Sequence, residues 1–481
     1  MPASNNVPQW SDMQGLVLSA YPRHVLAKYL LLRIENVAAA RAWLGRLLAA
    51  GAVTRAFRKR QRSERPAVDD ERLRQPNLNL AFTASGLALL GGRRRVDDAL
   101  DVEALTDALP GFSFPFVEGL ATGLHRRWIT GGIGDSEPEQ WEWGGWQSDR
   151  AKRVDVLVCV FAPGDQQALA AAVERFAPPG SAMTDVVDLL PTLAQTPGDT
   201  REHFGFPDGI SQPILSGSVD AERCPESQHL TAVGEIVCGY PDGAGILNPA
   251  PGLGGLDGNF GRNGSYLVFC QFHQDVAAFR RQMMKAAGGD EALADAIAAK
   301  IIGRRKDTGA PLVPYTTRSD NEFSFAEDPY GFGCPIGAHI RRTNPRDSFL
   351  NNNETPTAAI TRNRHRILRR GRAYGERLPE HVMQDDGRGR GLFFMCLNAD
   401  IERQFEFVMQ NWVNNPAFFG LRDECDPLIG RGERHAKCPF TIPMLPAPAR
   451  VVAEERFVRI VGGQYFFMPG LTALEHLAGE R

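Results

Sequence analysis

The feature that most limits what this chain can fold into is a pattern that occurs twice, 237 positions apart. Tyr29 and Tyr266 open two similar runs, YLLLRI and YLVFCQF. Cys159 and Cys396 sit inside two more, VDVLVCVF and LFFMCL, at the same separation. Each run is too short for a helix and is bounded by turn or cap residues, so each reads as a strand. Each leads at once into a helical pattern: ENVAAARAWLGRLLAA, APGDQQALAAAVERF, HQDVAAFRRQMMKAAG and NADIERQFEFVMQNW. Asn36, Asp165, Asp275 and Asp400 lie near the starts of these helices, where a side-chain oxygen can take a free backbone N–H. Strand then helix, twice per half, predicts a duplicated α+β unit with antiparallel pairing, the two lobes facing one another across a cleft. The Pro- and Gly-rich stretch between about 215 and 262 reads as the connection. The boundary is placed so that 1–225 forms the N-terminal lobe and 226–481 the C-terminal one.

Composition says which partners to expect. Of 481 residues, 43% are hydrophobic and 23% charged, enough for a soluble core that encloses a cofactor. A net charge of -3 without a long basic run argues against nucleic acid or an anionic membrane as partner. No apolar stretch approaches the roughly 20 residues that span a bilayer. The N-terminus has no basic segment followed by an apolar one, so a cytoplasmic location is expected. The eight cysteines form neither CxxC nor CxxCH. They are expected to be reduced, mostly buried thiols, leaving any cofactor without covalent links to cysteine.

Between Lys306 and Gly391 the strand–helix grammar breaks down, yet apolar and aromatic residues persist, as in a segment that builds a site. His339 lies there, in GFGCPIGAHIRRTNPRD. Gly337 and Ala338 before it would let a flat cofactor approach, and Arg341 and Arg342 after it could meet carboxylates. The residues alone leave open a ligand or a hydrogen-bonded structural histidine. Asp208, in FGFPDGISQP, sits in a turn beside Phe206 and Pro207. Apolar surroundings would raise its pKa and suit a proton shuttle; an ordinary Asp-Gly turn is the alternative. Arg369, in HRILRRGRAYG, is either held at fixed depth by a short strand or part of a solvated basic run.

In series, FGFPDGIS, GSYLVF, GAHIRRTNPRD, ILRRGRAYG and FFMCLNADIERQFEF closely resemble the dye-decolourising (DyP-type) haem peroxidases. The N-terminal QGLVLSAYPRHVLAKYLLLRI and AFTASGLALLG resemble their longer bacterial branch. The resemblance implies two ferredoxin-like lobes with antiparallel sheets and non-covalent haem b in the cleft between sheet and helices. It implies His339 on the iron, Asp208 and Arg369 on the peroxide side, and Arg341 and Arg342 toward the propionates. Asp400 falls where relatives place an acid that hydrogen-bonds the proximal imidazole. Hydrogen peroxide and small aromatic reductants or dyes would be the partners, and an oligomer is left open.

Cys270 stands where relatives often carry an arginine (YLVFR). Arg366 and Arg370 are alternatives to Arg369 on the peroxide side. His203 is expected to be structural, and His365 to face the haem edge. A bulky dye cannot reach a buried haem, so Trp141, Trp143, Trp146 and Tyr374 are candidate electron relays. The competing reading from another class is a haem-binding or haem-delivery protein with little turnover, which would not need Asp208 and Arg369 together. A dehydrogenase or metal hydrolase is disfavoured, because GxGxxG after a strand, HExxH and GxSxG are all missing.

Overall fold

All four predicted strands form; three extend slightly beyond their apolar runs, and the VDVLVCVF strand is shifted to Val156–Ala162. The computed structural model describes residues 7–57, 75–92, 102–145, 150–195, 199–248, 250–253, 260–314, 321–348, 356–430 and 438–479. In the N-terminal half, β1 (Leu26–Ile34), α1 (Val37–Ala49) and β2 (Asn77–Phe82) are followed by α2 (Leu124–Thr130), β3 (Val156–Ala162), α3 (Gln166–Phe176) and β4 (Met183–Val187). The C-terminal half runs β5 (Ser265–Gln274), α4 (Val276–Ala286), α5 (Glu291–Ile302), α6 (His339–Thr343), β6 (Leu368–Arg369), β7 (Arg372–Tyr374), β8 (Gly391–Asn398), β9 (Val458–Met468) and α7 (Leu471–Ala478). The predicted caps form as well. Asn36, Asp165 and Asp275 accept from the backbone N–H three residues on, and so does Asp400, from Arg403 N at 3.0 Å.

Strand order is β4-β1-β3-β2-β9-β5-β8-β6, with β7 also paired to β8, and the pairs are antiparallel. Each half is therefore a ferredoxin-like unit in which the first and third strands are central. The halves do not face one another across a cleft. They join edge to edge, through the Phe82–Phe467 pair of β2 and β9, into one sheet. An unpaired edge on each half leaves N–H and C=O groups open, and the junction covers part of those edges at this pair.

The duplication marks the right strands but not the right residues. Tyr29 and Cys159 lie in the core on one face of the sheet, with Phe161, Phe269 and Phe393. Tyr266 and Cys396 lie in the core on the other face, beneath the helices. Side chains alternate along a strand, so a slip of one residue in the match reverses the face. The helix-free face is covered by the N-terminal segment. Arg370 holds it through Leu16 O and Val17 O, and Arg372 through Ala20 O, Tyr21 O and His24 O.

Two expectations about cysteine and tryptophan resolve differently. Cys425 is disulfide-bonded, whereas Cys159, Cys238, Cys270, Cys334 and Cys396 are buried free thiols. Trp141 and Trp143 are buried and hydrogen-bonded, to Ser136 O and Gln271 Oε1, and Tyr374 is buried too. They are packed core, not surface relays. Trp146 lies outside the described residues. Among the described residues, no helix is long and apolar enough to cross a membrane.

Candidate active site

A cleft opens on the helix side of the C-terminal half, with an empty space of about 1640 Å³ including its mouth. Its floor is the sheet: Phe272 and Gln274 of β5, Leu392 and Phe394 of β8, and Val458 of β9. Its far wall is the helix expected after β8, which is wound with π geometry over Glu402–Glu406 and Val408–Val413. The wider turn brings Phe405, Val408, Met409 and Trp412 to the cleft. Such π segments recur at functional sites.

His339, Asp208 and Arg369 all line this cleft, although they are far apart in sequence. His339 opens the one-turn helix α6. Its Nδ1 is 2.9 Å from Asp426 Oδ2, and Asp426 is fully buried. The other carboxylate oxygen of Asp426 accepts from Leu428 N and Ile429 N, which fixes it in place. Burial opposes a charged imidazole, but the charge and hydrogen bond of Asp426 outweigh it and raise the His339 pKa.

Arg369 Nη1 donates to Asp208 Oδ1 at 2.9 Å, and Gly209 N donates to the same oxygen at 2.6 Å. Gly209 has φ +76°, a conformation that side chains disfavour. Glu202 orders the rest of the turn by accepting from Phe204 N and Phe206 N. The apolar-turn expectation for Asp208 fails here: burial raises its pKa, but Arg369 and the Gly209 N–H overcome this and lower it. The pair thus holds an ionised carboxylate inside the cleft.

Three cofactor-binding expectations are corrected. Asp400 is occupied at its helix start, with Arg403 also 3.5 Å away, and Asp426 takes the place beside His339. Arg341 is two residues beyond His339, about 200° round the helix, and its Nη1 donates to Asp328 O and Cys334 O. Arg342 donates to Trp412 O, Asn415 O and Glu424 O, tying the wall helix to the loop that carries Asp426. Neither arginine lines the cleft. Gly337 packs against Phe440 and Glu424 rather than exposing a flat approach. Cys270 lies in the helix-facing core against Gly463, away from the cleft lining, and burial pushes its thiol up to about 12.

The arginines that do reach the cleft are Arg304, Arg346, Arg362 and Arg366, besides Arg369. Burial, and then neighbouring guanidiniums, pull Arg304 down to about 10 and Arg366 to about 9, and lower Arg346 as well. Crowded, desolvated cations of this kind favour an anionic occupant. Two buried wall atoms, Ser211 Oγ and Gln274 Oε1, lack hydrogen-bond partners. His365 lines the cleft as expected, stacked 3.7 Å from Phe407. His203 is buried outside it, bonded to Tyr374 O. Arg370 points to the opposite face, and Arg366 Nη2 is 2.6 Å from His229 Nδ1, so Arg369 is the arginine that meets Asp208.

Residues 256–419 match the family model "Dyp-type peroxidase, C-terminal". The multifunctional dye peroxidase DyP2 of Amycolatopsis sp. is 35% identical over 316 residues, 59% of this chain and 62% of that protein. Along this stretch the chain is similar to the DyP-type peroxidases. A second DyP-type relative, the dye-decolorizing peroxidase msp1 of Mycetinis scorodonius, is 30% identical over 58% of this chain and 57% of its own length. The matched stretch thus spans less than two thirds of either relative. The DyP-type fold extends over nearly the whole chain. The Anabaena sp. DyP-type peroxidase superposes with TM-score 0.74 at 24% identity, covering 97% of this chain and 94% of that one. The fungal enzyme of Auricularia auricula-judae superposes with TM-score 0.74 at 23% identity, covering 98% and 100%.

Proposed function

We propose that the chain is a haem peroxidase that reduces hydrogen peroxide to water and oxidises phenols or bulky dyes in one-electron steps. The observation that carries this reading is the Asp208–Arg369 pair on the same apolar cleft as His339, itself braced by Asp426. A histidine braced through Nδ1 by a buried carboxylate suits a macrocycle that brings its own nitrogens, here non-covalent haem b. His339 would hold the iron through Nε2, since Nδ1 is taken up by Asp426. Arg304, Arg346, Arg362 and Arg366 would meet the two propionates. Haem, when bound, supplies the redox chemistry that cleaves the O–O bond.

The protein's own steps follow from its charges. Asp208, kept ionised by Arg369, takes the proton from the near peroxide oxygen and delivers it to the departing one. Arg369 stabilises the negative charge that develops. Asp426 gives the imidazole anionic character, which favours O–O cleavage over reversible binding. The likeness to DyP-type peroxidases and the names of the relatives support dyes as substrates. The two halves are read as lobes 1–225, which carries Asp208, and 226–481, which carries His339 and Arg369; the protein is read as cytoplasmic. A stopped-flow scan of the haem-reconstituted protein with one equivalent of hydrogen peroxide tests the reading. A Soret band that moves within seconds and returns when a phenol or dye is added supports it. A band indifferent to peroxide would leave a haem carrier.

A further inference from the structure

The peroxidase reading, on which this inference rests, requires Asp208 to hold its carboxylate at a fixed depth in the cleft. Neither a strand nor a helix does that, because Asp208 ends an irregular turn that starts at Thr200. The base of the turn is closed by Asp208 N, which donates to Thr200 O at 3.2 Å, and by Thr200 Oγ1, which donates to Asp208 O at 2.9 Å. Inside it, Glu202 N donates to Phe206 O at 3.1 Å and Gly205 N to Glu202 O at 3.0 Å. The N–H groups of Phe204 and Phe206 go to the Glu202 carboxylate instead, at 2.8 and 3.0 Å, one on each oxygen. Gln274 Nε2, reaching from β5, donates to the same carboxylate at 2.7 Å.

These bonds select one state of charge. All three partners are donors, so an ionised carboxylate satisfies them, while a protonated one brings a further donor into a ring of donors. Phe204 and Phe206 are buried, and Phe204 stacks on Phe279 of α4 at 4.3 Å, so an N–H released here is left as an unpaired buried donor. Through Gln274 the carboxylate also ties the turn to the sheet that floors the cleft. The cations of the neighbouring segments are engaged elsewhere. Arg377 Nη1 donates to Glu202 O, Arg280 of α4 to Pro379 O, Arg201 lies by Asp199, and Lys306 pairs with Asp295. Burial therefore holds the Glu202 carboxyl above the ordinary glutamate value of 4.5, against its three hydrogen bonds and with a further push from the charge of Asp208. Asp208 goes the other way: burial raises it, but Arg369 and the Gly209 N–H bring it below 3.8. As pH falls, Glu202 takes its proton first.

We propose that Glu202 is a positioning residue for the peroxide step: its carboxylate, tied to Gln274 of the sheet, holds closed the turn that sets Asp208 beside Arg369. With Glu202 ionised, the turn is closed and Asp208 stands in reach of the peroxide proton. Protonation places a hydrogen on an oxygen that must accept, one of the three bonds is lost, and Asp208 loses its fixed depth while still ionised. Glu202 itself moves no proton of the peroxide. The acid limb of peroxide activation therefore belongs to Glu202 and not to the base.

The test is the rate of the Soret response to hydrogen peroxide, followed by stopped flow on the full-length, haem-reconstituted protein from acid to neutral pH. The rate is expected to fall through one protonation step centred above 4.5. In the haem-free protein the same step should appear as an infrared band of a protonated carboxyl that is missing in Glu202→Gln. Glu202→Gln should also react more slowly at neutral pH, by up to about 10²-fold, with the step gone from its rate and the resting Soret band unchanged. Gln274→Met keeps the carboxyl but removes a bond that favours its ionised form, so the step should move to higher pH; a role in packing alone would leave its midpoint in place. If Glu202→Gln fails to hold haem, the shift in Gln274→Met decides alone. A rate without the step, a step that survives in Glu202→Gln, or one that Gln274→Met leaves in place overturns the positioning role and leaves the peroxidase reading standing. A Soret band that ignores peroxide at every pH removes both.

Discussion

The two halves of the molecule share a strand order, yet one is filled and the other hollow. Under the helices of the N-terminal half, Trp43, Leu44, Leu47, Leu169 and Phe176 close the space against Leu30 and Leu32 of the sheet. In the C-terminal half the corresponding layer opens into the cleft. The segment after α5 is long and irregular there, and the π-wound helix displaces side chains that would otherwise interdigitate. The difference teaches that a ferredoxin-like unit becomes a container when its connections, not its sheet, are changed. The N-terminal half still reaches the cleft, since Asp208 lines it from the segment that follows β4.

Four substitutions or conditions would break or sharpen that contrast. The largest effect is expected from Asp208→Asn, which keeps the turn but removes the base. Peroxide activation, followed by stopped-flow absorbance, should slow by roughly 10²–10⁴-fold with haem retained. A wild-type rate would mean that Arg369 works alone and that the N-terminal half adds only a wall.

Next, Trp43→Ala in the filled half should cost about 3–5 kcal/mol of unfolding free energy, because it leaves a cavity and an unpaired Phe176 carbonyl. Phe394→Ala on the cleft floor, measured in haem-free protein by denaturant titration, should cost clearly less, since that side chain already borders empty space. Equal costs would say that the cleft is collapsed without its cofactor.

A third comparison sets Asp426 against Asp400. Asp426→Asn should speed haem loss to a scavenging globin by about 10–100-fold. Asp400→Ala should leave haem loss unchanged and cost about 1 kcal/mol of stability, the value of a helix cap. The reverse outcome would restore Asp400 to the site.

The smallest effect concerns acid. Burial lowers His203 to about 4, and burial and then Arg366 lower His229 to about 3, both from 6.5. Both are held neutral in the folded protein, whereas the unfolded chain takes up protons below 6.5. Their contribution is therefore full above pH 6.5 and is lost as pH falls toward 4 and below. The melting temperature should drop across that window, and His229→Gln should flatten the drop. An unchanged profile in the variant would place the acid sensitivity elsewhere.

The sequence by itself determined the strands, the four helix caps, the doubling, and the choice of His339, Asp208 and Arg369 as candidates that the structure brings to one cleft. These are properties of short segments: an alternating run, a side chain one turn from a free N–H, a motif in series. Tertiary structure alone decided which face each strand residue took, because one residue of register reverses it. It decided that the halves share one sheet, since only the packed molecule pairs β2 with β9. It also decided which acid stands beside His339. Asp400 had a local partner in the backbone N–H of Arg403, and a local hydrogen bond wins when nothing brings the distant group near. Asp426 carried no signal beyond its place in RDECDPLIG, and Arg304, Arg346 and Arg362 carried none that separates a cleft wall from a solvated surface. Direction is what a sequence omits: Arg341 and Arg342 have the right charge at the right spacing, but a single helical turn points them into the protein instead of the cleft.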